Sequence, residues 1–242
     1  MLFYEYNFNI YIMKTFKILV GLFLVVGLVS CSNNDEADTQ QKNLRINAKS
    51  TFSGLSGKSA NQSFATGVLL ESFKINIKEI EFETSEDIYG DDEEFELKGP
   101  FELNLLNTQQ TVVEVNVPNG VYEEVKFKMD KNKKSTSSMF NKSIEIKGTI
   151  NGVPFIFWHN AEQEFEIDYE DIGQSLVINN NSAVISFDFD LNSVIASVNL
   201  TNATDNNNDG LIEISPMDTD GNNALANLII LKIEQYTDLL DD

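Results

Sequence analysis

The stretch GVLLESFKINIKEIEFE, residues 67–83, decides the fold class. Phe73, Ile75 and Ile77 fall on one face at period two, and Ile80 and Phe82 resume the alternation out of phase. Period two is the signature of a half-buried strand, because successive side chains of an extended chain point to opposite faces. A helix would need apolar residues three and four apart. Phe-Lys-Ile-Asn-Ile instead offers aromatic and β-branched residues with no such stripe. The slip between Ile77 and Ile80 predicts a β-bulge or a strand break.

The same alternation recurs along the chain. Residues 95–106 (FELKGPFELNLL) read as two short pieces split by Gly99-Pro100, and 112–117 alternate again up to Pro118-Asn119-Gly120. Residues 121–129 (VYEEVKFKM) place Val125, Phe127 and Met129 inward. Pro sets φ and Asn-Gly tolerates left-handed backbone, so Pro118-Asn119-Gly120 predicts a hairpin turn between these two runs. Residues 144–158 (IEIKGTINGVPFIFW) read as a second hairpin around Asn151-Gly152. Shorter runs follow at 165–169, 175–178 and 183–191, the last with Phe187, Phe189 and Leu191 inward and Ser186, Asp188 and Asp190 outward. Many short strands between turn signals point to a sandwich or barrel. Only 222–236 (NNALANLIILKIEQY) carries a helical stripe, formed by Ala224, Leu225, Leu228, Ile229, Leu231 and Ile233, with Asp220 or Asn222 as the N-cap. The expectation is an all-β protein: an antiparallel β-sandwich over residues 64–242 with a C-terminal α-helix packed on one face or end.

Within this region residues 73–129 resemble the domain-of-unknown-function 4382 family of bacterial lipoproteins. The resemblance rests on an alternating strand, an acidic loop (SEDIYGDDEE, 85–94), the strand Phe101-Glu102-Leu103-Asn104-Leu105-Leu106-Asn107, a polar spacer, and Val117-Pro118-Asn119-Gly120-Val121-Tyr122. It implies a β-sandwich-like fold and brings no catalytic residues with it.

The N-terminal side has a different character. In MKTFKILVGLFLVVGLVSC, residues 13–31, Lys14 and Lys17 precede an apolar run from Ile18 to Val29, then small Ser30 and Cys31, the only cysteine in the chain. This is the layout of a secretory signal peptide, and its apolar core is shorter than the ~20 residues of a spanning helix. Leu28-Val29-Ser30-Cys31 resembles the lipobox of bacterial lipoproteins, which implies diacylation of the Cys31 thiol and removal of residues 1–30. Residues 1–12 read as an extension upstream of the true start at Met13. Residues 31–63 read as the lipidated cysteine and a flexible, disordered tether, within which Leu44-Arg45-Ile46-Asn47-Ala48 alternates like a first strand. Ser32-Asn33-Asn34-Asp35-Glu36-Ala37-Asp38 resembles the acidic export signal of surface lipoproteins of Bacteroidota, which implies display on the outer face of the outer membrane. A solvated linker is the alternative.

Composition narrows the function classes. The chain has 17 basic and 38 acidic residues, and without residues 1–30 its net charge is about −22. Such a chain repels nucleic acid and anionic lipid, whereas it attracts divalent cations. With Cys31 acylated, no thiol is left for a disulfide, so stability rests on the core and on any bound metal.

The sharpest motif is Asp205-Asn206-Asn207-Asn208-Asp209-Gly210-Leu211-Ile212-Glu213, which follows the EF-hand loop pattern D-x-N-x-D-G-x-I-E. In such a loop, oxygens from Asp205, Asn207 and Asp209, the Leu211 carbonyl and Glu213 point at one calcium ion, and Gly210 permits the sharp turn. Pro216 stands where the bidentate glutamate belongs, so Glu213, Asp218 or Asp220 would have to close the shell. An Asp/Asn/Gly-rich turn without metal is the competing reading. Catalytic constellations are sparse. His159 is the only histidine and no G-x-S-x-G accompanies a serine, so His159 reads as a surface or edge-strand residue. Trp158, Phe157 and Tyr169 offer a sugar-stacking platform, or a core residue flanked by two at its rim. The expected function is a non-enzymatic binding or structural module of the cell envelope. It would be anchored in the outer membrane through lipid on Cys31, stabilised by calcium, and would recognise a protein or glycan ligand. The alternatives are a carbohydrate-active hydrolase using a carboxylate pair, and a pilus or adhesin component.

Overall fold

A computed structural model describes residues 42–53, 67–90, 93–169, 171 and 173–241. The stretch read as a signal peptide, Cys31 and the stretch read as an acidic export signal lie outside the described residues. A compact unit spans Gln41–Asp242. Among the described residues it contains twelve strands: β1 Leu44–Thr51, β2 Val68–Thr84, β3 Glu94–Asn104, β4 Gln109–Val115, β5 Gly120–Met129, β6 Ile144–Ile150, β7 Val153–His159, β8 Gln163–Asp168, β9 Leu176–Ile178, β10 Ala183–Asp190, β11 Ile212–Ile214 and β12 Thr237–Asp241. Helices are few: four-residue Glu86–Tyr89, Leu191–Ser197 and the C-terminal helix Asn223–Gln235.

Two curled sheets result. The smaller has the order β12-β10-β1-β4; the larger runs β11-β7-β6-β2-β5-β8, with β3 on β2 and β9 on β5. Pairing is antiparallel except for β1–β10 and β7–β11, which are parallel. The large sheet is organised around β2, the opening stretch of the sequence analysis. β2 pairs with β6 along its first half and β5 along its second, and with β3 on its opposite edge. The predicted irregularity lies between Ile77 and Glu79: Lys78 has no counterpart on β5, and Gly99-Pro100 face it on β3. Gly99 comes so close to β2 that a Cβ there would lie 2.3 Å from the Ile77 carbonyl oxygen. Gly99-Pro100 therefore sits inside one continuous strand, rather than dividing two as the sequence suggested.

The inner faces meet through aromatic rings. Phe127 of β5 lies over Phe187 of β10 with ring centroids 3.6 Å apart, and Phe189 of β10 packs edge-on against Phe73 of β2 and Phe165 of β8. All five rings are buried, and each contributes about 2–3 kcal/mol through the water it no longer orders. Phe187, Phe189 and Leu191 face inward as read. Of the three residues expected outward, Ser186 is buried and Asp190 caps the helix Leu191–Ser197 by accepting the Ser193 N–H at 3.1 Å.

The Asn151-Gly152 hairpin forms between β6 and β7, with φ of 53° and 84° at the two turn residues, as an Asn-Gly two-residue turn requires. The Pro118-Asn119-Gly120 hairpin does not form. β4 pairs with β1 in the small sheet and β5 with β2 in the large one, so this link crosses between layers. It is held from β1's side: the Asn43 side chain donates to the Val117 carbonyl and accepts the Val117 N–H, both at 2.9 Å. β1, read within the tether, thus supplies the partner that draws β4 away from β5.

The C-terminal helix forms where expected, with Asn222 at its N-cap position but with no capping bond from that side chain. Its buried face is Ala226, Ile229, Ile230 and Ile233. Leu228 and Leu231 point to solvent. The apolar stripe is wider than the contact, so two of the leucines assigned to the core lie outside it. Among the described residues no helix is long and apolar enough to cross a membrane.

Candidate metal loop and charged sheet face

The predicted metal loop lies between the Leu191–Ser197 helix and the C-terminal helix, and both ends are clamped. β11 pins its exit by burying Ile212 and Ile214 against β7. The Asn222 side chain donates to the Thr204 carbonyl at 3.0 Å and to the Glu213 carbonyl at 2.7 Å, tying the two ends together. Asn208 and Gly210 adopt positive φ (60° and 89°), which supplies the sharp turn that the D-x-N-x-D-G pattern demands.

Within the loop the candidate ligands fold back onto their own backbone. Asp205 accepts the N–H groups of Asp209 (3.2 Å) and Gly210 (2.9 Å), Asn207 accepts that of Asp209 (2.9 Å), and Asp209 accepts that of Leu211 (2.9 Å). The Asn207 amide donates to Asp209 and to Thr219, each at 3.1 Å, and Thr219 in turn reaches Glu213 at 3.5 Å. Asp205, Asn207, Asp209 and Glu213 are thereby brought to one loop, with Leu211 in the same turn. The donor set is hard oxygen throughout, which suits calcium. The carboxylates are spread more widely than in a closed shell. The group of three acidic side chains found with ligand oxygens within 4.8 Å of one another, among the described residues, lies elsewhere.

Of the three residues offered as closing ligands, Asp218 and Asp220 have other tasks. Asp218 accepts the N–H groups of Ser215, Gly221 and Asn222 and shapes the turn into the helix. Asp220 is 1 % exposed and accepts three backbone N–H groups, those of Asn206, Asn207 and Glu213, at 2.8–3.2 Å. Its carboxylate is the internal fastener of the loop. Sequence reading placed it as a cap or a ligand, because spacing alone does not reveal a buried acceptor.

The remaining candidates separate. His159 is buried at the end of β7, which lies between β6 and β11 and so is not an edge. Its Nδ1 accepts the Ala161 N–H at 2.9 Å, and its Nε2 lies 3.2 Å from the Asn227 side-chain oxygen, so it joins the sheet to the C-terminal helix. Phe157 and Tyr169 are both 1 % exposed, and Trp158 points to the opposite face from Phe157. The three do not form a platform, and Tyr169 lies within the core instead of at its rim.

A feature missed in the sequence is the outer face of the large sheet. There β3, β2, β5 and β8 align Glu94, Glu96 and Lys98, then Glu79, Glu81 and Glu83, then Glu124, Lys126 and Lys128, then Glu164, Glu166 and Asp168. Glu79, Glu81 and Glu96 gather within 4.8 Å. Lys128 lies among them, 2.5 Å from Glu81 and 3.9 Å from Glu79. The hydrogen bond to Glu81, then burial, raises the Glu79 pKa. Glu81 is itself pushed up by burial, but its contacts with Glu79 and Lys128 prevail and lower it. The signal was present in the outward positions of KEIEFE and EEFELK. Only the register between strands shows that these carboxyls face one another. Beside them Glu81, Phe82, Glu83, Glu94, Glu124 and Lys126 line a shallow crevice.

No curated protein and no solved structure matches the chain. A family model, described as a domain of unknown function, does match, and it spans β2 to the first residue of β11 rather than only the 73–129 stretch that carried the resemblance. On that match over residues 68–212, the chain belongs to the DUF4382 family.

Proposed function

We propose that this protein is exported to the cell envelope, held in the outer membrane by acyl chains on Cys31, and displays its β-sandwich at the cell surface as a non-enzymatic binding or structural module for a protein or glycan. The observation that carries this reading is the order Lys14, Lys17, the apolar run 18–29, Ser30 and the sole cysteine, followed by an acidic tether. Two acyl chains anchor a protein stably where one holds only marginally, since each buried methylene contributes about 0.8 kcal/mol. Membership of the DUF4382 family is compatible with this role and specifies no chemistry of its own.

The proposal includes a structural calcium ion at the 205–213 loop, supported by its hard-oxygen donors and its left-handed turn at Asn208 and Gly210. Melting temperature with calcium and with chelator tests this part. A ligand at 100 times its Kd stabilises by about 2.7 kcal/mol, so calcium should raise the transition by several degrees. Identical melting in both conditions would remove calcium from the account. Surface display is tested by protease treatment of intact cells: the sandwich should be cleaved or shed while periplasmic markers survive. Full protection on intact cells would place the protein on the inner side.

A further inference from the structure

On the outer face of the large sheet, β2, β6 and β7 set Lys74, Glu145 and Trp158 in one row, with Lys147 and Ile156 in the next. Lys74 and Trp158 are two strands apart, about 10 Å. Glu145 is 1 % exposed and is bound by Lys142 and by Lys147 at 3.0 Å, so its charge is already matched. Glu213 of β11 borders Ile156 and reaches Thr219. The loop 130–143 lies against this face and is firmly built. Asn132, 1 % exposed, donates to the Asn76 and Glu102 side chains at 2.9 and 2.6 Å and accepts the Lys134 N–H at 2.7 Å. Its backbone N–H donates to the Lys142 carbonyl and its carbonyl accepts the Asn141 N–H, while Lys74 donates to the Ser138 hydroxyl at 3.3 Å. This loop carries Lys131, Lys133, Lys134 and Lys142, four of the chain's 17 basic residues. Lys133 lies 3.8 Å from Asp130, but among the described residues Lys74, Lys131 and Lys134 have no carboxylate within 4.0 Å. A strongly acidic chain thus concentrates unmatched positive charge in and beside the row that holds its only tryptophan.

We propose that this surface binds an acidic polysaccharide: the outward Trp158 gives an apolar face on which a sugar ring stacks, and Lys74, Lys131 and Lys134 take its carboxylate or sulfate groups. This rests on the protein being a binding module, and it names the class of the ligand. The ordered loop favours binding, since its backbone has little freedom left to lose. A peptide suits the surface less well. β2 lies between β3 and β6 at Lys74, β6 between β2 and β7, and β7 between β6 and β11 at Ile156, which leaves no open ladder for an added strand. An anionic lipid surface also suits it less well. Asn43, where the N-terminal tether meets the sandwich, is bonded to Val117, and from Gly120 β5 runs about 30 Å to Met129 before the loop begins. The acidic grid does not cancel the lysines. It starts at Glu79, about 17 Å along β2 from Lys74, and the Debye length is about 8 Å at physiological salt.

The test is calorimetric titration of the full-length protein in detergent with polygalacturonate, dextran sulfate and neutral dextran, beside flotation with equimolar phosphatidylcholine–phosphatidylglycerol vesicles. Wild type should bind at least one of the two acidic polymers, and dextran far more weakly. Lys131→Gln/Lys134→Gln should weaken that binding about tenfold or more and reduce its dependence on salt. Lys49→Gln/Lys232→Gln makes the same change of charge on other surfaces and should leave the affinity within about twofold. Trp158→Ala should cost about tenfold as well, and if that variant does not fold the lysine pair decides alone. No binding of either acidic polymer, equal losses in the two lysine pairs, or binding to the vesicles without binding to the polymers would overturn the proposal. Polymer length after incubation keeps the site apart from the broader reading: a bound polymer that is shortened would contradict the non-enzymatic role while the site stands.

Discussion

Replacing Asp220 by alanine probes how the 205–213 loop is held. The carboxylate is 1 % exposed and accepts three backbone N–H groups from both ends of the loop. Hydrogen bonds to a charged group are worth about 1.5–3 kcal/mol each, and the donors left behind have only partial access to water. Counting the weakest end of that range and allowing the loop to relax, Asp220→Ala should cost about 3–5 kcal/mol, a large fraction of the ~5–15 kcal/mol that holds a domain folded. Asp220→Asn keeps one acceptor oxygen and turns an NH2 group toward at least one backbone donor, so it should cost about half as much. Urea denaturation in chelator, followed by tryptophan fluorescence and by circular dichroism, measures both variants with any bound metal removed. A loss below about 1 kcal/mol for Asp220→Ala, at unchanged denaturant slope, would refute the assignment of Asp220 as the fastener.

Other substitutions test the sandwich itself. Phe187→Ala removes the ring that lies 3.6 Å from Phe127 at the centre of the two inner faces, and should cost about 3–5 kcal/mol in the same denaturation assay. Gly99→Ala sets a methyl 2.3 Å from the Ile77 carbonyl oxygen, which β2 relieves only by moving from β3. A loss of about 1–3 kcal/mol is expected, together with faster amide exchange at residues 97–99 and 101.

The fold class was legible because the inward positions of β2, β5, β6 and β10 repeat at period two and become the core. The slip after Ile77 and the Asn151-Gly152 turn were equally readable, since each is a local property of the backbone. Non-local choices were not. Nothing in residues 44–51 says that β1 sits between β4 and β10, so Pro118-Asn119-Gly120 has the local pattern of a hairpin where the chain in fact changes sheet. β11 and β12 are short, and pairing with β7 and β10 makes them strands. At the loop, the pattern of Asp205, Asn207, Asp209, Leu211 and Glu213 identified the turn, but the buried acceptor role of Asp220 depends on contacts across 14 residues. The charged grid of the outer face is not visible as a grid in the sequence at all. Alternate glutamates look like ordinary solvated positions until the register sets Glu83 against Glu124.

The central claim is that Cys31 carries this domain on a lipid anchor. Intact-mass and fragment analysis of the N-terminal peptide, from protein isolated from its native membranes, tests it most directly. The account predicts that the mature chain begins at Cys31 with a diacylglyceryl group on its sulfur, and that Cys31→Ala leaves an uncleaved, unacylated precursor. A mature chain that retains residues 13–30, or that begins elsewhere with an unmodified Cys31 thiol, would contradict it.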